Sequence, residues 1–261
     1  MSVETAAAPT SRAGRRNVMV ACLASTIEWY DFAVYGALAS VLAQVLMPPG
    51  SGTTGLIAVF AVFATSFIAR PFGTVLVGLR ADRHGRRPAL VAMIVLMSLS
   101  TAMIGLLPTW AAAGAAAPVA LVVLRLVQGF ASGGGLSSSL PLVVESSHPR
   151  RWGLYGGWHT ASVFAGIALG TATAGTVSAA VGAEAMNGWG WRLPFLVALR
   201  LGLVGLYGRV RLTESQAFAG DARRRQPTSI RSVWSEHATV VRRGFVLVGV
   251  LAGTVNLWFV F

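Results

Sequence analysis

The chain has 261 residues, 54% of them hydrophobic and 11% charged, with a mean hydropathy of +0.65. A soluble domain carries about 25% charged residues, so this composition argues against a soluble enzyme and for a membrane-embedded chain. The net charge of +12 does not point to nucleic acid, because every basic residue is an arginine and these fall in short runs between apolar segments, as cytoplasmic loop charge does.

Residues 1–17 are small and polar, with Arg12, Arg15 and Arg16, and read as a cytoplasmic tail. The apolar run after them is too long for a signal peptide and lacks a cleavage pattern. Seven apolar runs lie at 18–46, 54–79, 88–107, 118–145, 152–181, 190–208 and 244–261, and a spanning helix needs about 20 such residues. Turn-forming stretches separate them: Pro48 to Gly52, the arginine-rich 80–87, Pro108 to Pro118, His148 to Arg151, and Asn187-Gly188. The predicted fold class is therefore an all-α membrane protein. A six-helix bundle is expected over 18–208, a basic cytoplasmic loop over 209–243 and an incomplete seventh span over 244–261.

Most arginines cluster at 1–17, 80–87, 150–151 and 209–243, whereas the alternate loops at 47–53, 108–117 and 182–189 hold none. Positive charge stays inside, so the amino terminus is expected in the cytoplasm. Arg192 lies at an outer helix end between Trp191 and the next apolar run, with Trp189 close by, a setting suited to an aromatic belt. The single cysteine, Cys22, rules out an internal disulfide.

Charges inside the apolar runs are the candidates for function, since each costs roughly 2.5–3.5 kcal/mol at a helix centre on insertion scales. Glu28 and Asp31 in the first run are three residues apart and share a helix face; Glu28 is about 15 Å into the run. Two carboxylates so close in a poorly solvating setting resist both being charged, so one is a candidate proton carrier. Tyr30 and Tyr35 add hydroxyls nearby. Arg125 in the fourth run offers a planar fork for a carboxylate, with Gln128 one turn on. It suits either a solute anion or Glu28 or Asp31. Arg70-Pro71 reads as a snorkelling or helix-breaking element as readily as a functional one, and Arg200 has no evident partner. Gly129 and Gly133, and Gly166 and Gly170, have the spacing of close helix packing. Gly133-Gly134-Gly135 reads as a hinge or a tight contact. His84, His148, His159 and His237 have no metal-ligand spacing. No phosphate-cradling loop is present, and no cofactor or metal is expected.

Several stretches carry a family resemblance. Gly78, Asp82, Arg83, Gly85, Arg86 and Arg87 resemble the cytoplasmic loop signature of the major facilitator superfamily, with Ala81 in place of its usual glycine. Arg125 to Gly129 resembles that superfamily's fourth-helix motif, and Glu145 its acidic partner of the loop arginines. Glu28-Trp29-Tyr30-Asp31-Phe32, Arg70-Pro71-Phe72-Gly73, Glu145-Ser146, Trp189 to Phe195 and Arg211 to Phe218 are similar to the metabolite:proton symporter branch. The likeness covers nearly all of 15–220.

The resemblance implies twelve helices in two halves, a solute site between them, and alternating access driven by protons. The implied location is the cell inner membrane. The implied solutes are organic acids or zwitterions of the α-ketoglutarate, citrate, shikimate, aromatic-acid, proline or betaine kind. It also implies that Asp82 caps the third spanning helix and that the loop arginines pair with Glu145 as a cytoplasmic gate. Glu28, Tyr30, Asp31, Arg125 and Gln128 would serve solute or proton coupling. The expected partners are lipid, the solute, protons and a carboxy-terminal half-bundle. Two departures stand out: Gly135 replaces the branch's usual glutamate, and the chain ends within its seventh run. A non-transporting fragment and a membrane sensor of the same fold stay open as alternatives.

Overall fold

The computed structural model describes residues 12–84, 86–145 and 151–210; among them, the side chains of 12–14, 16–17, 82–84, 86–87, 90, 136–142, 144–145 and 204–210 are not described. These residues form eight α-helices and no strand. The helices are α1 (Arg12–Ala37), α2 (Ala39–Leu46), α3 (Gly52–His84), α4 (Arg86–Gly105), α5 (Trp110–Ala113), α6 (Ala116–Glu145), α7 (Trp152–Ala185) and α8 (Arg192–Val210). The expected loop over 209–243 and seventh span lie outside the described residues, apart from the last turn of α8.

Helix starts follow local chemistry. Pro88, Pro118 and Pro194 each stand in the first turn of α4, α6 and α8, where a missing backbone N–H costs nothing. Pro71 lies inside α3 and denies the Phe67 carbonyl its usual helical donor. Among the described residues, three helices are by length and composition apolar enough to cross a membrane, or four with the bent α1–α2 pair; the apolar part of α4, Val91–Gly105, is shorter.

The first apolar run, expected as one span over 18–46, is broken. α1 and α2 meet at 64°, with Leu38 off the helical path at φ −97° and ψ 8°. The bonds Leu38 N–H to Val34 O (3.0 Å) and Leu42 N–H to Leu38 O (2.8 Å) survive the bend. Gly36, just before it, is a weak helix former. The turn expected at Asn187-Gly188 is instead a π-helical turn, Met186–Gly190. Gly182, at φ 76° and ψ 167°, has already kinked α7, and that left-handed φ suits glycine.

α3 packs along α6, α1 along α7, and α4 against α8 and α6. Glycines permit the first two pairings. A Cβ at Gly129 would strike the Ser66 carbonyl, one at Gly133 the Arg70 carbonyl, and one at Gly73 the Phe130 carbonyl. On α7, a Cβ at Gly166 would meet the Thr26 carbonyl, and one at Gly170 that of Tyr30 (2.6 Å). Both glycine pairs thus act as packing notches. Of the triple glycine, 133 and 134 are tight contacts while Gly135 has open space around it.

The largest apolar core gathers where α1 joins α2, around Val34, Leu42, Leu46, Ile104, Leu121 and Phe195. Trp191 is fully buried there while Trp189 is 53% exposed, so one of the two expected belt tryptophans is a core residue. Arg192 caps the same end: its guanidinium donates to the carbonyls of Gly188 (3.1 Å) and Leu107 (3.3 Å) and covers the Trp191 ring. Arg200 is exposed on α8. Apolar side chains such as Ile57, Ile68 and Phe72 on α3 and Trp158 and Phe164 on α7 are also exposed, as a bundle surrounded by lipid or by further helices requires.

Candidate functional site

α1 and α6 run in opposite directions, and their polar residues face each other in register. On α6, Arg125, Gln128 and Ser132 recur at helical spacing and form one stripe. On α1, Asp31 and Glu28 face that stripe. They do not share partners, however, and this divides the candidate site in two.

The first centre is closed. Arg125 and Asp31 form an ion pair at 3.0 Å, with side-chain exposures of 0% and 1%. Asp31 also accepts from the Thr101 hydroxyl (3.0 Å) and the Gln128 amide (3.1 Å), and Gln128 donates to Thr101 (2.7 Å). Three helices, α1, α4 and α6, thus converge on one carboxylate. The Arg125 guanidinium lies 3.7 Å from the Tyr35 ring centre and 5.6 Å from that of Phe63, close enough for cation–π attraction. The Tyr35 hydroxyl donates to the Val59 carbonyl (2.8 Å), which fixes that ring.

The closed centre is not saturated. Arg125 Nε and one of its terminal nitrogens, and the Gln128 carbonyl oxygen, are buried with no hydrogen-bond partner. A buried charge is tolerated when paired, and among the described residues Asp31 is the counter-charge of Arg125. Through its three partners, the Asp31 carboxylate joins α1 to α4 and α6.

The second centre is half-open. Arg70 on α3 reaches Glu28 at 2.5 Å and the Ser132 hydroxyl at 2.7 Å, and Ser132 also bonds Glu28. The side chains of Arg70 and Glu28 are 23% and 15% exposed. Arg70 lies 4.9 Å from the Phe32 ring centre and 5.2 Å from that of Phe67. Thr74 ties α3 to α6 one turn on, through the Gly133 carbonyl (3.1 Å).

Of the residues singled out from sequence, Asp31, Arg125 and Gln128 meet in one network, and Glu28 sits in a second. Tyr30 joins neither: it is buried, and its hydroxyl donates to the Pro194 carbonyl (3.0 Å), tying α1 to α8. Arg70, Ser132 and Thr101 belong to the centres although sequence reasoning had not placed them there. The helical spacing of 125, 128 and 132 was a readable signal for Ser132; Thr101 had none. The loop signature Gly78 to Arg87 falls where α3 ends and α4 begins. The side chains of Asp82, Arg83, Arg86, Arg87 and Glu145, and residue Gly85, lie outside the described residues, as does the proposed pairing among them.

A family model described as "Sugar (and other) transporter" matches residues 17–254. The chain belongs to the major facilitator superfamily. Within the superfamily, it is 40% identical over 204 residues to the glycine betaine/proline/ectoine/pipecolic acid transporter OusA of Dickeya dadantii, covering 78% of this chain and 41% of that protein. It is 38% identical to the proline/betaine transporter of Escherichia coli K12 over the same shares of both chains. Among solved structures, the superfamily's proton:xylose symporter XylE, bound to 6-bromo-6-deoxy-D-glucose, superposes with a TM-score of 0.72 at 20% identity, over 82% of this chain and 48% of that one. The last comparison speaks to fold alone. The chain spans about two fifths of the length of the curated relatives it matches.

Proposed function

We propose that this chain forms the amino-terminal, six-span part of a proton-coupled symporter for a small organic acid or zwitterion, with its amino terminus in the cytoplasm. The observation that carries the reading is the Asp31–Arg125 pair, fully buried on the faces where α1, α4 and α6 converge. Buried membrane charges of this kind mark solute paths and proton relays. Asp31 is the proton carrier: when it is charged, Arg125, Gln128 and Thr101 hold the three helices together. When it is protonated, Arg125 is released to a new partner and the helices can shift. Such a two-state element is what proton-driven alternating access needs.

The relatives named for proline and betaine transport favour a small zwitterionic solute over a sugar. In this reading the loop from Gly78 to Arg87, at the junction of α3 and α4, acts as the cytoplasmic gate. Asp82 and the loop arginines would close it against Glu145.

The test is uptake of radiolabelled glycine betaine and proline into proteoliposomes holding the purified chain, with and without an inward proton gradient. The reading expects uptake that rises with the gradient and collapses with a protonophore. Uptake of no organic acid or zwitterion under either condition would reject transport by this chain.

A further inference from the structure

The half-open centre differs from the closed one in ways that bear on a ligand. Glu28 and Arg70 keep part of their surface exposed, whereas Asp31 and Arg125 have almost none. Arg70 meets both Glu28 and Ser132 through the same terminal nitrogen, and its Nε is buried without a hydrogen-bond partner. Arginine binds a carboxylate best through two parallel N–H bonds. The single-nitrogen contact to Glu28 leaves that fork under-used.

Around the pair are groups suited to a cation. The rings of Phe32 and Phe67 flank the guanidinium, Phe67 is 48% exposed, and aromatic faces attract ammonium and quaternary ammonium groups. On the side of Glu28 away from Arg70 and the rings, Glu28 and Ser132 also line a small cavity of about 30 Å³, enough for a water molecule, with Ser25, Met93, Met97 and Gly135. No atom lies within 4 Å of where a Gly135 Cβ would stand.

From this arrangement we infer that Glu28 and Arg70 form a charge-exchange subsite for a zwitterion, an inference that rests on the solute-transport reading above. The solute carboxylate takes the Arg70 fork. Its ammonium takes Glu28 and the exposed face of Phe67. The bond between Glu28 and Arg70 holds the site closed when no solute is bound, each side chain standing in for one of the solute's charges.

The energetics give the selectivity. Removing one partner from a pair that is mostly shielded from water leaves a poorly compensated charge, which is unfavourable. A zwitterion supplies both replacements at once, so every charge stays paired. A plain anion would pair Arg70 but strand Glu28, and a plain cation would do the reverse. The site therefore selects zwitterions over acids and amines of similar size.

Equilibrium dialysis of the purified chain with radiolabelled glycine betaine tests this, with succinate and choline as competitors and circular dichroism as the folding control. Wild type is expected to bind glycine betaine at least tenfold more tightly than either competitor. Glu28→Gln should weaken glycine betaine at least tenfold and improve competition by succinate, because Arg70 then lacks its internal anion. Arg70→Gln should weaken it as much and improve competition by choline. Misfolding cannot produce that opposite pair of shifts. Absence of glycine betaine binding by wild type, affinity within twofold of wild type in both variants, or loss without the opposite shifts would each overturn the subsite. A failure of proton-driven uptake with this selectivity intact would instead reject the coupling reading and leave the subsite standing.

Discussion

Removing the charge of Asp31 strands Arg125, and the structure sets the scale of the effect. Asp31 accepts hydrogen bonds from Arg125, Thr101 and Gln128 at 3.0–3.1 Å, and neither member of the ion pair is more than 1% exposed. Breaking a buried pair from one side costs about 3–5 kcal/mol, because the remaining charge is left without a counter-charge. Asp31→Asn keeps the shape and some hydrogen bonding, so the lower end of that range is expected. Arg125→Met keeps most of the volume and strands the carboxylate instead, at a similar cost. The double variant removes both charges and should cost less than the sum of the two by at least about 2 kcal/mol, within the range of direct couplings. Unfolding in mixed detergent micelles, followed by helix circular dichroism, measures all three. Costs that add to within about 0.5 kcal/mol would show two independent sites and would refute the closed centre.

The remaining predictions concern packing and the gate. Gly129→Leu should separate α3 from α6 and cost about 1–3 kcal/mol through overpacking, seen as a lower melting temperature; an unchanged melt would contradict the notch. Gly135→Ala, facing open space, should instead stabilise by up to about 1 kcal/mol through helix propensity, and destabilisation would show a contact there. Tyr35→Phe removes the bond to Val59 while keeping the ring beneath Arg125, a loss of about 1 kcal/mol readable in the same melts. Asp82→Asn should loosen the proposed cytoplasmic gate and raise labelling of a single cysteine introduced on the inner half of α6. Unchanged labelling and unchanged uptake would dismiss the latch.

Hydropathy made the bundle legible because a spanning helix must be long and apolar. The glycine pairs were legible for a similar reason: close approach of two helices demands the absence of a Cβ at fixed intervals. The division of the carboxylates was not. Glu28 and Asp31 share a face of α1, and nothing in their spacing says that one turns to α3 and the other to α4. That depends on which neighbours α1 meets, a tertiary fact. Arg70 was ambiguous because an arginine before a proline in an apolar run has two ordinary explanations, and its partner is 42 residues away in the chain. Tyr30 looked like a site hydroxyl beside Asp31, but adjacent helix positions point about 100° apart, and it faces α8. The bend at Leu38 had no proline to announce it.

The central claim is that Asp31 carries the coupled proton. The most direct measurement compares two modes of glycine betaine transport in proteoliposomes bearing wild type or Asp31→Asn: uphill accumulation driven by an inward proton gradient, and counterflow without a gradient. Wild type should show both. Asp31→Asn should retain counterflow and lose accumulation, since it moves solute but carries no proton. Full proton-driven accumulation by Asp31→Asn would contradict the account.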